Sequence, residues 1–241
     1  MSGLIDLHCH FVAGIDDGAR SPEEGIEMLQ KLKEIGFDRV IATPHMRPGL
    51  WDNRREDLLA AYERMLPSLE GQSGLPEVGL SSEHYFDDVV FERILRGEAV
   101  PYPGNKAVLL EFYQIDFPYS IDRGLAKIRQ AGMVPVLAHP ERYRAIWNDL
   151  EIVERLIDVG AVCLLDTAAL IGKYGKKAQQ ASLELLEREQ YFAACSDAHR
   201  PSDVAQVLEA MTLIESKYGR DEIESLFRDG PERILDGTAR S

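Results

Sequence analysis

The residues able to do chemistry in this 241-residue chain share a pattern that is visible before any element is assigned. There are six histidines: His8 and His10 in "DLHCH", His45 in "TPH", His84 in "EHYF", His139 in "AHPERY" and His199 in "SDAH". Each follows a short apolar run, and none sits on a helical face. Carboxylates occupy matching places. Asp17 lies in "DDG", Glu83 precedes His84, Glu111 ends the run "AVLLE", and Asp197 stands two residues before His199. Imidazoles and carboxylates are the usual ligands of zinc, manganese and iron. In an extended segment residues i and i+2 face the same side, so His8 and His10 suit one ion, and Asp197 and His199 suit neighbouring ions. One such histidine would ordinarily be a satisfied polar residue, but six of six point to a common location. Glu83 and Glu111 adjoin apolar and aromatic residues, where an unpaired carboxylate is costly.

Alternating strands and helices must position these groups. Strand patterns cover Leu4–Leu7, Arg39–Thr43, Val78–Ser82, Ala107–Phe112, Met133–Ala138, Ala161–Asp166 and Tyr191–Cys195. Helical patterns lie between most of them, notably at Ile121–Gln130, Leu150–Val159 and Lys176–Glu189, with Ser202–Tyr218 and Asp221–Phe227 closing the chain. "SPEE" (21–24) supplies an N-cap, a proline at the first helical position and a capping-box glutamate. Short apolar strands alternating with helices predict a parallel sheet buried on both faces. Seven of them favour a closed or nearly closed barrel in one domain, 1–241. In such a barrel the strand C-termini share one face, where distant residues meet.

Composition narrows the function. With 45% hydrophobic and 28% charged residues the chain has enough apolar material for a substantial core. The formal charge of −14 argues against nucleic acid as a partner. No apolar run suits membrane insertion. The start lacks a secretory pattern, and the three cysteines (Cys9, Cys163, Cys195) are odd in number and widely spaced. A cytoplasmic location is expected.

The motifs "DLHCH", "DDG", "SPEE", "TPH", "EHYF", "LLEF", "AHPERY" and "SDAH", running from Asp6 to His199, resemble those of the polymerase and histidinol phosphatase (PHP) superfamily. Within it they are most similar to the bacterial manganese-dependent protein-tyrosine phosphatases of capsule and exopolysaccharide regulation. The resemblance implies an α/β fold, a distorted seven-stranded (β/α)7 TIM-like barrel of the PHP type. It also implies three divalent metal ions, Mn2+ by resemblance, although the ligand types accept iron or zinc. Carried over residue by residue, His8, His10, Glu83 and Asp197 hold the first ion. Glu83 bridges to a second, shared with Glu111 and His139, and Asp17, His45 and His199 hold the third. Many superfamily members have histidines at the places of Asp17 and Glu111, and the carboxylates here match the tyrosine-phosphatase branch. His84 lies outside the set and reads as structural. The implied partner is a phosphotyrosine protein, such as the tail of a bacterial tyrosine kinase controlling capsule synthesis.

Three divalent ions outweigh four ligand carboxylates, so an acidic chain can offer a positive pocket to a phosphate. The expected reaction is in-line attack of metal-activated hydroxide on phosphorus without a phosphoenzyme. Arg142, in "HPERY", is the main expected phosphate clamp, with Arg200 and Arg47 as further candidates beside the ligands. Other phosphatase chemistries find no support. Six residues after each cysteine stand Ile15, Ala169 and Pro201, not the arginine of a thiol phosphatase loop. There is no paired Asp-x-Asp, glycine-rich nucleotide loop or serine triad. Cys9 should point into the core, and Tyr85, Tyr113 and Tyr143 should be packing residues. Trp51 reads equally well as a substrate contact or as a loop hydrophobe. The rival readings are another phosphoesterase such as a histidinol phosphatase, or an amidohydrolase. The latter usually needs a metal-bridging lysine where this chain has Glu111.

Overall fold

The computed structural model describes residues 2–115, 117 and 121–239. In chain order the elements are β1 (Leu4–Cys9), α1 (Pro22–Glu34), β2 (Phe37–Ala42), β3 (His45–Met46), α2 (Arg55–Leu69), β4 (Glu77–Leu80), β5 (Glu83–Tyr85), α3 (Asp88–Arg96), β6 (Ala107–Glu111) and α4 (Ile121–Gln130). There follow β7 (Val134–Ala138), α5 (Arg144–Asn148), α6 (Glu151–Asp158), β8 (Val162–Asp166), α7 (Lys176–Glu187), β9 (Tyr191–Cys195), α8 (Asp203–Tyr218), α9 (Arg220–Glu224) and α10 (Gly230–Leu235). α1 begins as its sequence dictates: Ser21 accepts from the Glu24 amide and Pro22 opens the first turn. The Glu24 carboxylate, however, reaches back to the amide of Arg20 rather than to that of the cap residue. The last helical pattern also departs from expectation. Arg220–Glu224 passes into a π-helical turn at Ser225–Asp229 before α10.

All strand pairings are parallel, in an α/β arrangement. Among the described residues nine strands form two sheets, ordered β1-β2-β4 and β3-β5-β6-β7-β8-β9. The sequence leads one to expect seven continuous strands. The difference is two short extra strands, β3 and β5, which follow the second and third expected strands after breaks at Thr43-Pro44 and Ser81-Ser82 and carry His45, Glu83 and His84. Pro44 has no N–H to offer a ladder. α3 is a helix that the sequence reading does not anticipate.

Every residue of β6, β7 and β8 is buried, as expected for parallel strands covered on both sides. One apolar cluster contains alternate residues of these strands and of β9: Ala107 and Leu109, Val134 and Val136, Val162 and Leu164, Ala193 and Cys195. The period of two carries that face onward to Glu111, Asp166 and Asp197 at the strand C-termini. Ile234, Leu235 and Ala239 join the cluster at its other end, where Gly237 lies against Lys106 just before β6. Backbone bonds tie the first and last strands across the site: His10 N–H donates to Ala198 O at 2.9 Å, and Asp197 N–H to His8 O at 2.9 Å.

Candidate metal centre

All nine expected ligands converge. His8 Nε2 lies 3.1 Å from His10 Nε2, 3.2 Å from Asp197 Oδ1 and 3.2 Å from Glu83 Oε2. Glu83 is the hub. Its Oε2 also stands 3.0 Å from His45 Nδ1 and 3.6 Å from His10 Nε2, and its Oε1 lies 2.9 Å from His139 Nε2. Asp17 Oδ1 sits 3.4 Å from His45 Nε2 and 3.5 Å from His199 Nε2. Glu111 Oε2 is 3.9 Å from His45 Nδ1. The donor atoms fall into four overlapping groups: His10–Asp17–His45–His199, His8–His10–Asp197, His8–Glu83–His139 and His45–Glu83–Glu111, each within 4.8 Å. The expected division differs. His45 also stands with Glu83 and Glu111, and His10 also stands with Asp17.

Strain and close approach accompany this convergence. His139 and Asp197 are left-handed, with φ of +36° and +43°, a conformation costly for residues with a Cβ and typical of functional positions. Gly18 of "DDG" has no room for a side chain, because a Cβ would lie 2.2 Å from the His10 carbonyl oxygen. The glycine lets the Asp16-Asp17 loop fold back on His10.

Asp16, which the sequence reading leaves out, orients two of the histidines. Its Oδ2 accepts from His10 Nδ1 at 2.8 Å and from the His45 amide at 3.0 Å. A proton held on Nδ1 leaves the His10 Nε2 lone pair facing the centre. The Asp197 carbonyl does the same for His199 through Nδ1 at 3.0 Å. The adjoining "DD" pair was the available signal for Asp16. His84 is structural, as expected: it is fully buried between Leu109 O at 2.9 Å and the Val100 amide at 3.2 Å. Burial lowers its pKa to about 4. Cys9 is buried with its thiol toward Ala198 O.

The electrostatics are those of a site rich in lone pairs. Burial works against charge on His8, yet the Asp197 and Glu83 carboxylates outweigh it and raise its pKa. His10 rises well above its ordinary value despite burial, through Asp16 and Asp197. Burial opposes ionisation of Glu83 too, but His8 and His45 hold it well below the carboxylate range. Glu111 is pushed up to about 7 by burial and by the Glu83 charge. His139 is lowered to about 4 by burial and by Arg142. Among the atoms that face the centre, buried His45 Nδ1, Glu111 Oε2 and Asp197 Oδ1 make no hydrogen bond among the described residues, although each lies 3.0–3.9 Å from another candidate ligand atom. Unpaired buried acceptors around shared carboxylates are costly without a cation, so this donor set fits divalent metal ions.

The three arginines differ in what they touch. Arg142 Nη1 donates to Asp197 Oδ2 at 2.6 Å and lies 3.5 Å from Asp166 Oδ2, while the guanidinium packs on the Tyr174 ring at 4.5 Å. Its other donors make no hydrogen bond within the described residues. Arg47 Nη1 stands 3.5 Å from Glu111 Oε1, and its guanidinium lies 4.3 Å over the Tyr85 ring. Arg200 Nη1 instead binds the carbonyls of Asp17 at 2.9 Å, His199 at 2.6 Å and Gly18, tying the β1 and β9 loops together. Trp51 stacks on the imidazole of His45, with centroids 4.4 Å apart and planes 10° apart. Tyr143 is a packing residue, buried and bonded to Ala138 O and the Phe112 amide. Asp166 and Tyr174, which hold Arg142, were missed; Asp166 ends its strand as Glu111 does, and that placement was the signal.

The family model for capsular polysaccharide synthesis, CpsB/CapC, matches residues 4–236. The chain belongs to the CpsB/CapC family. Among its relatives are the tyrosine-protein phosphatase CpsB of Streptococcus pneumoniae, 26% identical over 96% of this chain and 98% of that one, and the tyrosine-protein phosphatase YwqE of Bacillus subtilis, 27% identical over 96% and 91%. The fold is similar to the crystal structures of YwqE and CpsB, described as unique metal-dependent tyrosine phosphatases. The TM-score is 0.89 at 25% identity, covering 99% of this chain and 96% of the other. Among the described residues no helix is long and apolar enough to cross a membrane.

Proposed function

We propose that this CpsB/CapC-family chain is a metal-dependent phosphatase that hydrolyses phosphotyrosine in proteins, working as one domain on three divalent ions, Mn2+ by preference. The observation that carries this reading is the convergence of nine histidine and carboxylate side chains, four of them acidic, in a chain related to named tyrosine phosphatases over nearly its whole length. His8, His10, Glu83 and Asp197 hold the first ion, Glu83 with Glu111 and His139 the second, and Asp17, His45 and His199 the third. The contacts of His45 with Glu83 and of His10 with Asp17 reflect how closely these sets adjoin. The nine strand segments read as seven barrel staves, the second and third of them broken.

Divalent ions there supply Lewis-acid charge for the phosphoryl oxygens and lower the pKa of a bound water toward 7. The protein's own groups do the rest. Asp16 and the Asp197 carbonyl fix the imidazole orientations. Arg142, held by Asp197, Asp166 and Tyr174, retains donors for a phosphate oxygen. Arg47 is a second cation beside Glu111, and Arg200 keeps the two ligand loops together. A phenolate with a pKa near 10 leaves with less protonation than an alkoxide needs. The expected partner is the phosphorylated tail of a bacterial tyrosine kinase acting in capsule or exopolysaccharide synthesis. The three buried free cysteines support a reducing, cytoplasmic setting. Steady-state turnover of a phosphotyrosine peptide against histidinol phosphate, with Mn2+, tests the reading. A strong preference for histidinol phosphate overturns it.

A further inference from the structure

Three residues beyond Trp51, the chain enters a second concavity that the metal chemistry does not use. A cavity of about 400 Å³ is lined by Arg54, Arg55, Glu56, Arg93 and Glu98. Three guanidinium groups thus face two carboxylates on a molecule whose formal charge is −14. Among the described residues none of the three guanidinium groups has a carboxylate oxygen within 4.0 Å, whereas those of Arg47 and Arg96 nearby do. Their hydrogen bonds go to backbone carbonyls instead: Arg55 Nη1 donates to Ala99 O, and Arg93 Nη1 to Asn53 O, at 2.5 and 3.3 Å. Arg54 is exposed and its guanidinium makes no hydrogen bond. The cavity therefore keeps cationic donors for an external anion.

One residue joins this cavity to the centre. Asn53 accepts from Arg93 through its carbonyl and donates through Nδ2 to the carbonyl of His45 at 2.9 Å and of Ile15 at 3.1 Å. The intervening turn is fixed: Arg47 and Trp51 exchange backbone bonds of 3.0 and 2.8 Å, and Trp51 lies flat on His45. Asn53 thus connects the backbone of His45 directly to an arginine of the cavity.

We infer that the Arg54–Arg55–Arg93 cavity binds acidic side chains of the substrate polypeptide that flank the phosphotyrosine. This rests on the phosphatase reading and adds a determinant of which phosphotyrosine is taken. Exposed arginines attract carboxylates weakly and in a salt-dependent way, so the contribution belongs in KM and fades as ionic strength rises.

The test compares three substrates with the Mn2+-loaded full chain: a phosphotyrosine peptide with glutamates at the flanking positions, its alanine counterpart, and p-nitrophenyl phosphate. The expected result is a preference of about five- to tenfold in kcat/KM for the acidic peptide, carried by KM. It should shrink between about 50 and 500 mM salt. Arg54→Ala, whose side chain holds nothing in the fold, and the double variant R54A/R93A should reduce the preference stepwise while p-nitrophenyl phosphate is turned over as before. Equal kcat/KM for the two peptides in the wild type, or a preference untouched by the variants, overturns the inference. So does an equal loss on the peptides and on the small phosphate. Failure of the wild type on every substrate would remove the phosphatase reading itself.

Discussion

Glu141, beside the proposed clamp Arg142, gives a prediction whose size follows from its surroundings. The residue is fully buried. Its Oε1 accepts from the Asp166 amide at 3.0 Å, and its Oε2 lies 2.9 Å from the Tyr191 hydroxyl. Burial and then the Asp166 charge push its pKa to about 8 from an ordinary 4.5. The sign follows from linkage. Between pH 4.5 and about 8 the unfolded chain has released this proton while the folded protein keeps it, so the folded state binds more protons and stability falls as pH rises. At about 1.36 kcal/mol per pH unit the loss is on the order of 3–5 kcal/mol across that window. Glu141→Gln mimics the protonated acid: its oxygen accepts from Asp166 N–H and its amide donates to the Tyr191 oxygen. The variant should therefore match the wild type near pH 4.5 and gain on it steadily up to pH 8. Urea denaturation of both proteins from pH 4.5 to 8.5 measures the difference, in which the pH dependence of groups that do not interact with Glu141 cancels. Parallel stability curves for the two proteins would refute the reasoning.

Other consequences concern the centre. Asp197→Ala and His139→Ala should each lower phosphotyrosine turnover by about a hundredfold or more, with circular dichroism and melting behaviour showing the fold retained. Because Asp197 and Glu83 raise His8 above its ordinary pKa and Asp16 and Asp197 raise His10, protons compete with the metal, and Mn2+ affinity measured by titration calorimetry should weaken as pH falls through and below neutrality. Trp51 stacks on His45, so in Trp147→Phe protein the remaining indole should report metal binding: adding Mn2+ to chelator-treated protein should quench its fluorescence saturably. Arg142→Lys keeps a positive charge but loses the planar fork, and kcat/KM should drop about ten- to a hundredfold, since one ammonium does not replace the guanidinium between Asp197 and a phosphate.

The convergence of the proposed ligands was legible because the fold delivers such residues in one way. A parallel strand that ends in a polar residue places it on the common face, and all nine expected side chains stand there. His84 was set apart only because it lies outside the ligand set that the resemblance implies; its ring nitrogens, bonded to Leu109 O and the Val100 amide, are a feature of the structure alone. What the sequence does not reveal is which donor shares an ion with which. That depends on ring rotations and distances of a few tenths of an ångström, such as His45 facing Glu83 through one nitrogen and Asp17 through the other. The short strands β3 and β5 were also hidden. "IATPHM" ends its expected strand at Thr43, and nothing local shows that pairing resumes beyond Pro44, at His45-Met46, with Glu83-His84.

The role of each arginine depended on long-range contacts that no local pattern encodes. Arg200 adjoins a ligand in sequence and looks like a phosphate residue, yet three backbone carbonyls from two loops use its Nη1 group. Arg142 lies three residues from His139 and closes on a ligand from another strand. Its contact divides the two oxygens of Asp197 between different tasks: Oδ1 faces His8 and His10, and Oδ2 faces the guanidinium. One carboxylate thereby links the proposed metal ligands to the proposed phosphate donor, and its left-handed backbone is the conformational cost of that double contact. Arg47 stands in a similar relation to Glu111, at 3.5 Å. A chain of net negative charge can in this way receive a phosphate dianion: two of its arginines stand beside carboxylates that the proposed metal ions would neutralise.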